Sequence, residues 1–219
     1  MDVKIIHHPT HKDAIRCAKE LQEELLPVES DLHAGYTRFS LPRDDYIILD
    51  KDEWDENTLS SNPVLLSNRA ACFYAHYSIW ETLTENTLIL EDDARQIHPF
   101  DISVCENFDG DVLNLGDPVY CGKANEEAVQ ELRSTKYNGV KRRTYEGSFL
   151  YGAHAYVLTP KGAEKLLRVS DHGRLLRPND VMCQAGIVDL FDYFPYAFHQ
   201  DQNIRRSIIL DPKSLFMGK

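Results

Sequence analysis

Apolar and polar positions along this chain follow two periods, and the switches between them divide it into elements. Val3, Ile5 and Ile6 cluster at the start and predict a short buried strand over 3–8. After Pro9-Thr10 the period lengthens. Ile15, Ala18, Leu21 and then Leu25 or Leu26 recur at helical spacing, which predicts a helix over 12–26. Tyr46-Ile47-Ile48-Leu49 predicts a second strand. The longest helical pattern runs from Ser67 to about Glu85, with Ser67 or Asn68 placed to cap it. Thr87-Leu88-Ile89-Leu90 predicts a third strand, 111–115 a fourth that is broken by Gly116, and 155–158 a fifth. Thr159-Pro160 opens another helix, because proline suits a first helical turn. A further helix is predicted from Pro178 to Leu190, and Ile208-Ile209-Leu210 is the last apolar piece.

The stretch 121–147 is the most polar part, with a helix predicted at 126–132 and a basic triplet, Lys141-Arg142-Arg143. It reads as an insertion or a mobile flap, and its triplet as either a phosphate contact or a solvated patch. A strand at the start followed by alternating helices and strands predicts an α/β fold. No repeat, linker or shift of composition divides the chain, so residues 1–219 read as a single domain.

Composition narrows the classes. With 42 % hydrophobic and 27 % charged residues, disorder, collagen and coiled coil are excluded. Asp plus Glu number 35 against 24 Lys plus Arg, a net charge of -11. Such a surface repels polyphosphate and anionic lipid at long range, so no standing nucleic-acid or membrane surface is expected. No apolar run approaches the ~20 residues of a membrane helix, and the N-terminus does not read as a signal peptide. Five scattered cysteines without a C-x-x-C pair predict reduced thiols in a cytoplasmic protein.

The strongest local chemistry is Glu91-Asp92-Asp93, directly after the apolar strand Leu88-Ile89-Leu90. Roughly one run of three acids is expected by chance in so acidic a chain, so position carries the argument. Ligand crevices in open α/β sheets lie at the carboxyl ends of strands. Carboxylates packed there raise each other's pKa unless a cation sits among them, and hard ions such as Mg2+ or Mn2+ are held by one or two carboxylates plus substrate phosphates. A solvated acidic turn is the competing reading. Cys72, His76, Ile79 and Leu83 share one helical stripe, so His76 faces apolar neighbours and reads first as a core histidine with satisfied hydrogen bonds.

Cys72 to Trp80 followed by Leu88-Ile89-Leu90-Glu91-Asp92-Asp93 resembles glycosyltransferase family 25, which includes bacterial lipopolysaccharide sugar transferases and collagen galactosyltransferases. The family shows Gly-Cys-x-x-Ser-His before a Trp-bearing helix and then a strand ending Leu-Glu-Asp-Asp. The likeness continues at Tyr151-Gly152-Ala153-His154, at 162–167, at Pro178-Asn179-Asp180, and at Gln202 with Ser207-Ile208. It departs where Asn68-Arg69 replaces the usual Gly-Glu, where Ala75 replaces Ser, and where an N-terminal Arg-rich turn is missing.

The resemblance implies a GT-A-like α/β fold, with a single mixed or parallel central sheet flanked by helices. It implies metal-dependent hexose transfer, with Mn2+ or Mg2+, from a nucleotide sugar of the UDP type to an acceptor hydroxyl, with inversion. The acceptor would be a saccharide or lipooligosaccharide, a hydroxylated protein side chain or a hydroxymethylated nucleobase. Asp93 would coordinate the metal, with Glu91 or Asp92 assisting and His199 as a late ligand. Asp180 would take the acceptor proton, or else be a carboxylate at a helix N-terminus. Asn68, Arg69, His76, Gly152, His154, Asn179 and Gln202 would contact donor or acceptor. Two other readings stand beside this one: a metal-dependent phosphoesterase or nuclease using the same acids, and a non-catalytic sugar-nucleotide-binding module.

Overall fold

The computed structural model describes residues 1–37, 39–48, 63–118, 123–135, 137–144, 148–150, 153–177 and 179–201, with side chains outside the description at 63–67, 123–128 and 180. In chain order the elements begin with β1 (Asp2–His7), α1 (Lys12–Glu24), β2 (Asp31–Ala34), β3 (Ile47–Ile48) and α2 (Pro63–Trp80). Then come β4 (Thr87–Glu91), β5 (Ala94–Gln96), α3 (Ile102–Glu106), β6 (Val112–Asn114), α4 (Lys123–Ser134) and β7 (Gly139–Arg142). The chain continues through β8 (Ala155–Leu158), α5 (Pro160–Val169), β9 (Leu175–Leu176), α6 (Asn179–Met182), β10 (Leu190–Phe194) and β11 (Phe198–Gln200).

Among the described residues one seven-stranded sheet runs in the order β2-β1-β4-β8-β6-β10-β7. β1 is parallel to both β2 and β4, and β10 is parallel to β6. β8 lies antiparallel between β4 and β6, and β7 antiparallel to β10. The expected α/β architecture with a mixed central sheet is therefore what the chain builds.

The central strands β4 and β8 are buried on both faces because they are apolar along nearly their whole length, and the pleat sends alternate residues to opposite layers. Leu88 and Leu90 of β4, with Ala155 and Val157 of β8, pack with Ala18 and Leu21 of α1. Ile89, Tyr156 and Leu158 face the other way, onto Phe73, Tyr77 and Trp80 of α2 and Leu166 of α5.

Several predicted boundaries move. α2 starts at Pro63, not at Ser67, so Ser67 and Asn68 lie inside the helix and not at its N-terminus. It stops at Trp80, where the Thr82 hydroxyl donates to the carbonyls of Ser78 and Ile79 and satisfies the last turn. The predicted helix 178–190 shrinks to the single turn α6. Beyond it the backbone is taken by bridges from Gln184 to Phe149 and from Ala185 to Val188, and Gly186 sits at φ +102, where glycine is at ease. Within the polar stretch 121–147, β7 is built into the sheet as its edge strand. Its basic triplet is paired: Lys141 with Glu131, Arg142 with Asp189, and Arg143, buried, with Asp192. The predicted strand at 46–49 is the two-residue β3, paired with β9 outside the central sheet, and Leu49 lies outside the described residues. Ile208-Ile209-Leu210 lies outside them as well.

Candidate active site

The carboxyl ends of β1, β4 and β6 reach one edge of the sheet, and β8, running the other way, begins there. That edge collects His8, Glu91, Gly116 and His154. A short ribbon of β5 and β11 covers it, with Ala94 opposite Gln200 and Arg95 opposite His199. Such an edge is where an α/β sheet offers a crevice.

Glu91, Asp92 and Asp93 occupy the tight turn between β4 and β5, and the pleat sends them in different directions. Glu91 follows Ile89 onto the α2 face, where its Oε1 lies 3.1 Å from His76 Nε2. Asp92 is 8 % exposed. Burial, reinforced by the neighbouring Glu91 charge, pushes its carboxyl up to about 7, against the opposing pull of the His8 backbone N–H and of Arg95. Asp93 is also buried and accepts from Gln200 Nε2 at 2.9 Å, while its carbonyl accepts from the Asp201 N–H at 2.8 Å. Asp92 and Asp93 are thus withdrawn from water, while Glu91 is partly buried against His76, so the turn is not a solvated loop.

His76 is fully buried, as its stripe predicts. Its Nδ1 is 2.9 Å from the Tyr156 hydroxyl, to which Trp80 Nε1 donates at 3.1 Å. Cys72, one turn earlier on α2, brings its sulfur within 4.8 Å of ligand atoms of both His76 and Glu91. Among the described residues this is the one grouping of three potential metal-ligating side chains at such spacing, so the carboxylates of 91, 92 and 93 do not converge by themselves. Asn179, at the start of α6, places its Nδ2 3.8 Å from the Cys72 sulfur and thereby ties the 179–180 turn to this cluster.

His154 immediately precedes β8, beside Glu91, whose N–H donates to the His154 carbonyl. Burial lowers its pKa, while the Glu91 charge and a hydrogen bond to the Phe198 carbonyl act against that, and among the described residues its Nε2 has no partner. His199, in β11, is close enough for its charge to act on His154.

The structure therefore gathers Glu91, Asp92, Asp93, His76, His154, Asn179 and His199 at one edge. Asn68 and Arg69 are half-buried on α2, Asn68 on the same stripe as Cys72 and His76. Gly152 and Gln202 lie outside the described residues, and of Asp180 only the backbone, in α6, is described. α6 is one turn long, which leaves little helix dipole for Asp180 to answer. Two members escape sequence reasoning. Gln200 reaches Asp93 through strand register alone, a relation no local pattern carries. Tyr156 looks like one more apolar strand residue, and its only signal is a hydroxyl in an otherwise aliphatic run.

The family model for glycosyltransferase family 25 (LPS biosynthesis protein) matches residues 57–182, more than half of the chain and the stretch that holds α2, the acidic turn and α6. The chain belongs to glycosyltransferase family 25. Among curated family-25 relatives, procollagen galactosyltransferase 2 of Homo sapiens is 30 % identical over 124 residues, covering 53 % of this chain and 19 % of that protein. The Mus musculus protein of the same name is 29 % identical over 124 residues, with the same shares. A glycosyltransferase 25 family member of Anopheles gambiae is 32 % identical over 111 residues, 48 % of this chain and 18 % of that protein. The match spans about a fifth of the length of these family-25 relatives.

Proposed function

We propose that this family-25 domain transfers a hexose from a UDP-type nucleotide sugar to an acceptor hydroxyl, with inversion and with Mn2+ or Mg2+ at the Glu91-Asp92-Asp93 turn. One observation carries the proposal: in a chain of this family the three acids sit at the carboxyl end of β4, two of them nearly withdrawn from water. Burial and the Glu91 charge disfavour the ionised form of Asp92, a penalty that a cation would relieve, and carboxylate oxygens suit a hard divalent ion. The chemistry of these side chains suits such an ion, which would have to draw the three diverging carboxylates together. Asp93 would hold it, with Glu91 or Asp92 assisting and His199 within the same edge. When bound, the ion offsets the charge on the departing nucleoside diphosphate.

The chain's own groups do the rest. Asp180 accepts the acceptor proton as the glycosyl bond forms. Asn179, beside Cys72, orients that turn. His154 has its ring held by the Phe198 carbonyl, and its buried Nε2 has no partner among the described residues. Asn68, Arg69, Gly152 and Gln202 complete the donor and acceptor contacts, and His76 acts through Glu91. The names of the curated relatives favour galactose as the sugar and a hydroxylated protein side chain as the acceptor, with a saccharide acceptor next. No helix among the described residues is long and apolar enough to cross a membrane. A phosphoesterase would want a second carboxylate cluster, and none appears among the described residues.

A thermal-shift panel of nucleotide sugars with and without Mn2+ tests the proposal, since a ligand of the native state raises the unfolding midpoint. A UDP-sugar is expected to raise it only with Mn2+, and Asp93→Ala to abolish that shift while the protein still folds. A panel with no shift for any donor would overturn it. Binding without turnover on any hydroxyl acceptor would leave a sugar-nucleotide-binding module.

A further inference from the structure

We propose that His76 is a positioning residue, fixed as its Nε2–H tautomer by a one-way chain of hydrogen bonds, and that it holds Glu91 in place for the cation. The inference rests on the turn's being the metal and donor site. The chain of donors starts at Trp80, whose indole nitrogen can only donate, and does so to the Tyr156 oxygen at 3.1 Å. The Tyr156 hydroxyl has one proton to give, and His76 Nδ1, 2.9 Å away, accepts it. A neutral ring with an accepting Nδ1 carries its proton on Nε2, which lies 3.1 Å from Glu91 Oε1 and donates to it. Every link then has one donor and one acceptor.

The opposite tautomer would turn the Nε2 lone pair against a carboxylate oxygen at 3.1 Å, acceptor facing acceptor. It would also make Tyr156, fully buried, accept twice, with no acceptor among its described bonds for its own proton. The same logic decides against a thiophilic ion at Cys72, His76 and Glu91, although their ligand atoms lie within 4.8 Å of one another. Such an ion needs the Nε2 lone pair, and the chain of donors puts a proton there. Glu91 thus accepts from His76 at Oε1, which fixes the orientation of its carboxylate. Groups standing behind a metal ligand in this way typically alter metal affinity by ~10-fold or more when removed.

Long-range 1H–15N correlations of the imidazoles in 15N-histidine-labelled wild-type protein read the tautomer without any assay of activity. His76 is expected to show a protonated Nε2 and an accepting Nδ1. A protonated Nδ1, or loss of the Nε2 proton on titration with Zn2+ in a Cys72-dependent manner, overturns the proposal. Mn2+ binding, followed by the electron paramagnetic resonance of the free ion, tests the consequence. His76→Gln, which keeps a donor toward Glu91, should bind Mn2+ near the wild-type level, and His76→Leu about 10-fold more weakly. Equal binding by folded His76→Leu and wild type overturns positioning. Absence of Mn2+ binding in wild type overturns the metal reading itself, and the tautomer spectrum tells the two failures apart.

Discussion

Folding takes the Asp92 carboxyl from water into a turn where it is 8 % exposed and pushes its pKa up to about 7. In the unfolded chain the group titrates near ~3.9. Between those two values the folded state binds the extra proton, so stability falls as pH rises from about 4 to about 7 and is flat above. In metal-free buffer that cost reaches at most about 4 kcal/mol. Asp92→Asn keeps the shape and removes the charge. Its unfolding midpoint should match wild type near pH 4, exceed it increasingly up to pH 7, and keep the excess beyond. A constant gap between the two proteins across that range would count against the shifted carboxyl. Mn2+ should reverse the ranking at neutral pH, because it stabilises the charged form that the variant lacks. Removing the Tyr156 hydroxyl by Tyr156→Phe leaves buried nitrogens on Trp80 and His76 without a partner and should cost about 1–3 kcal/mol in denaturant titrations.

Elements were legible from the sequence wherever local chemistry decided them. Thr159 caps α5, with Pro160 in its first turn, as that dipeptide predicts. β4 and β8 stand where apolar runs place them. Legibility failed where distant partners decided. α6 stops after four residues because its continuation bridges to Phe149 and pairs within itself, and β7 is a strand only because β10 offers an open edge. The acidic turn could be located from its strand, but not the divergence of its side chains. That divergence depends on α2, His8 and the β5–β11 ribbon at once. Gly162 shows how tightly the elements meet. A Cβ there would lie 2.5 Å from the Asp111 carbonyl oxygen and 3.0 Å from Leu158 Cδ1. Gly162→Ala should therefore push α5 off the sheet and cost about 1–3 kcal/mol. A denaturation midpoint equal to that of wild type would refute this close approach.

At the scale of the whole molecule, one buried ion pair ties the far side of the sheet together. Arg143 and Asp192 are both almost fully buried, and Asp192 Oδ1 also receives Asn114 Nδ2 and the Tyr196 hydroxyl. Asp192→Ala would leave the guanidinium uncompensated in the interior, and a loss of about 3–5 kcal/mol is expected in urea unfolding. Cutting both partners to apolar residues should cost less than cutting one, because no stranded charge remains. The ribbon over the acidic turn has a different consequence. Asp93 is gripped by Gln200 and Asp201, more than a hundred residues further along the chain. Contacts of such long sequence separation are the slowest to close. During synthesis the turn thus waits, uncovered, until β11 has left the ribosome. Covering of the acidic turn therefore comes only after the strand that carries the cover has formed.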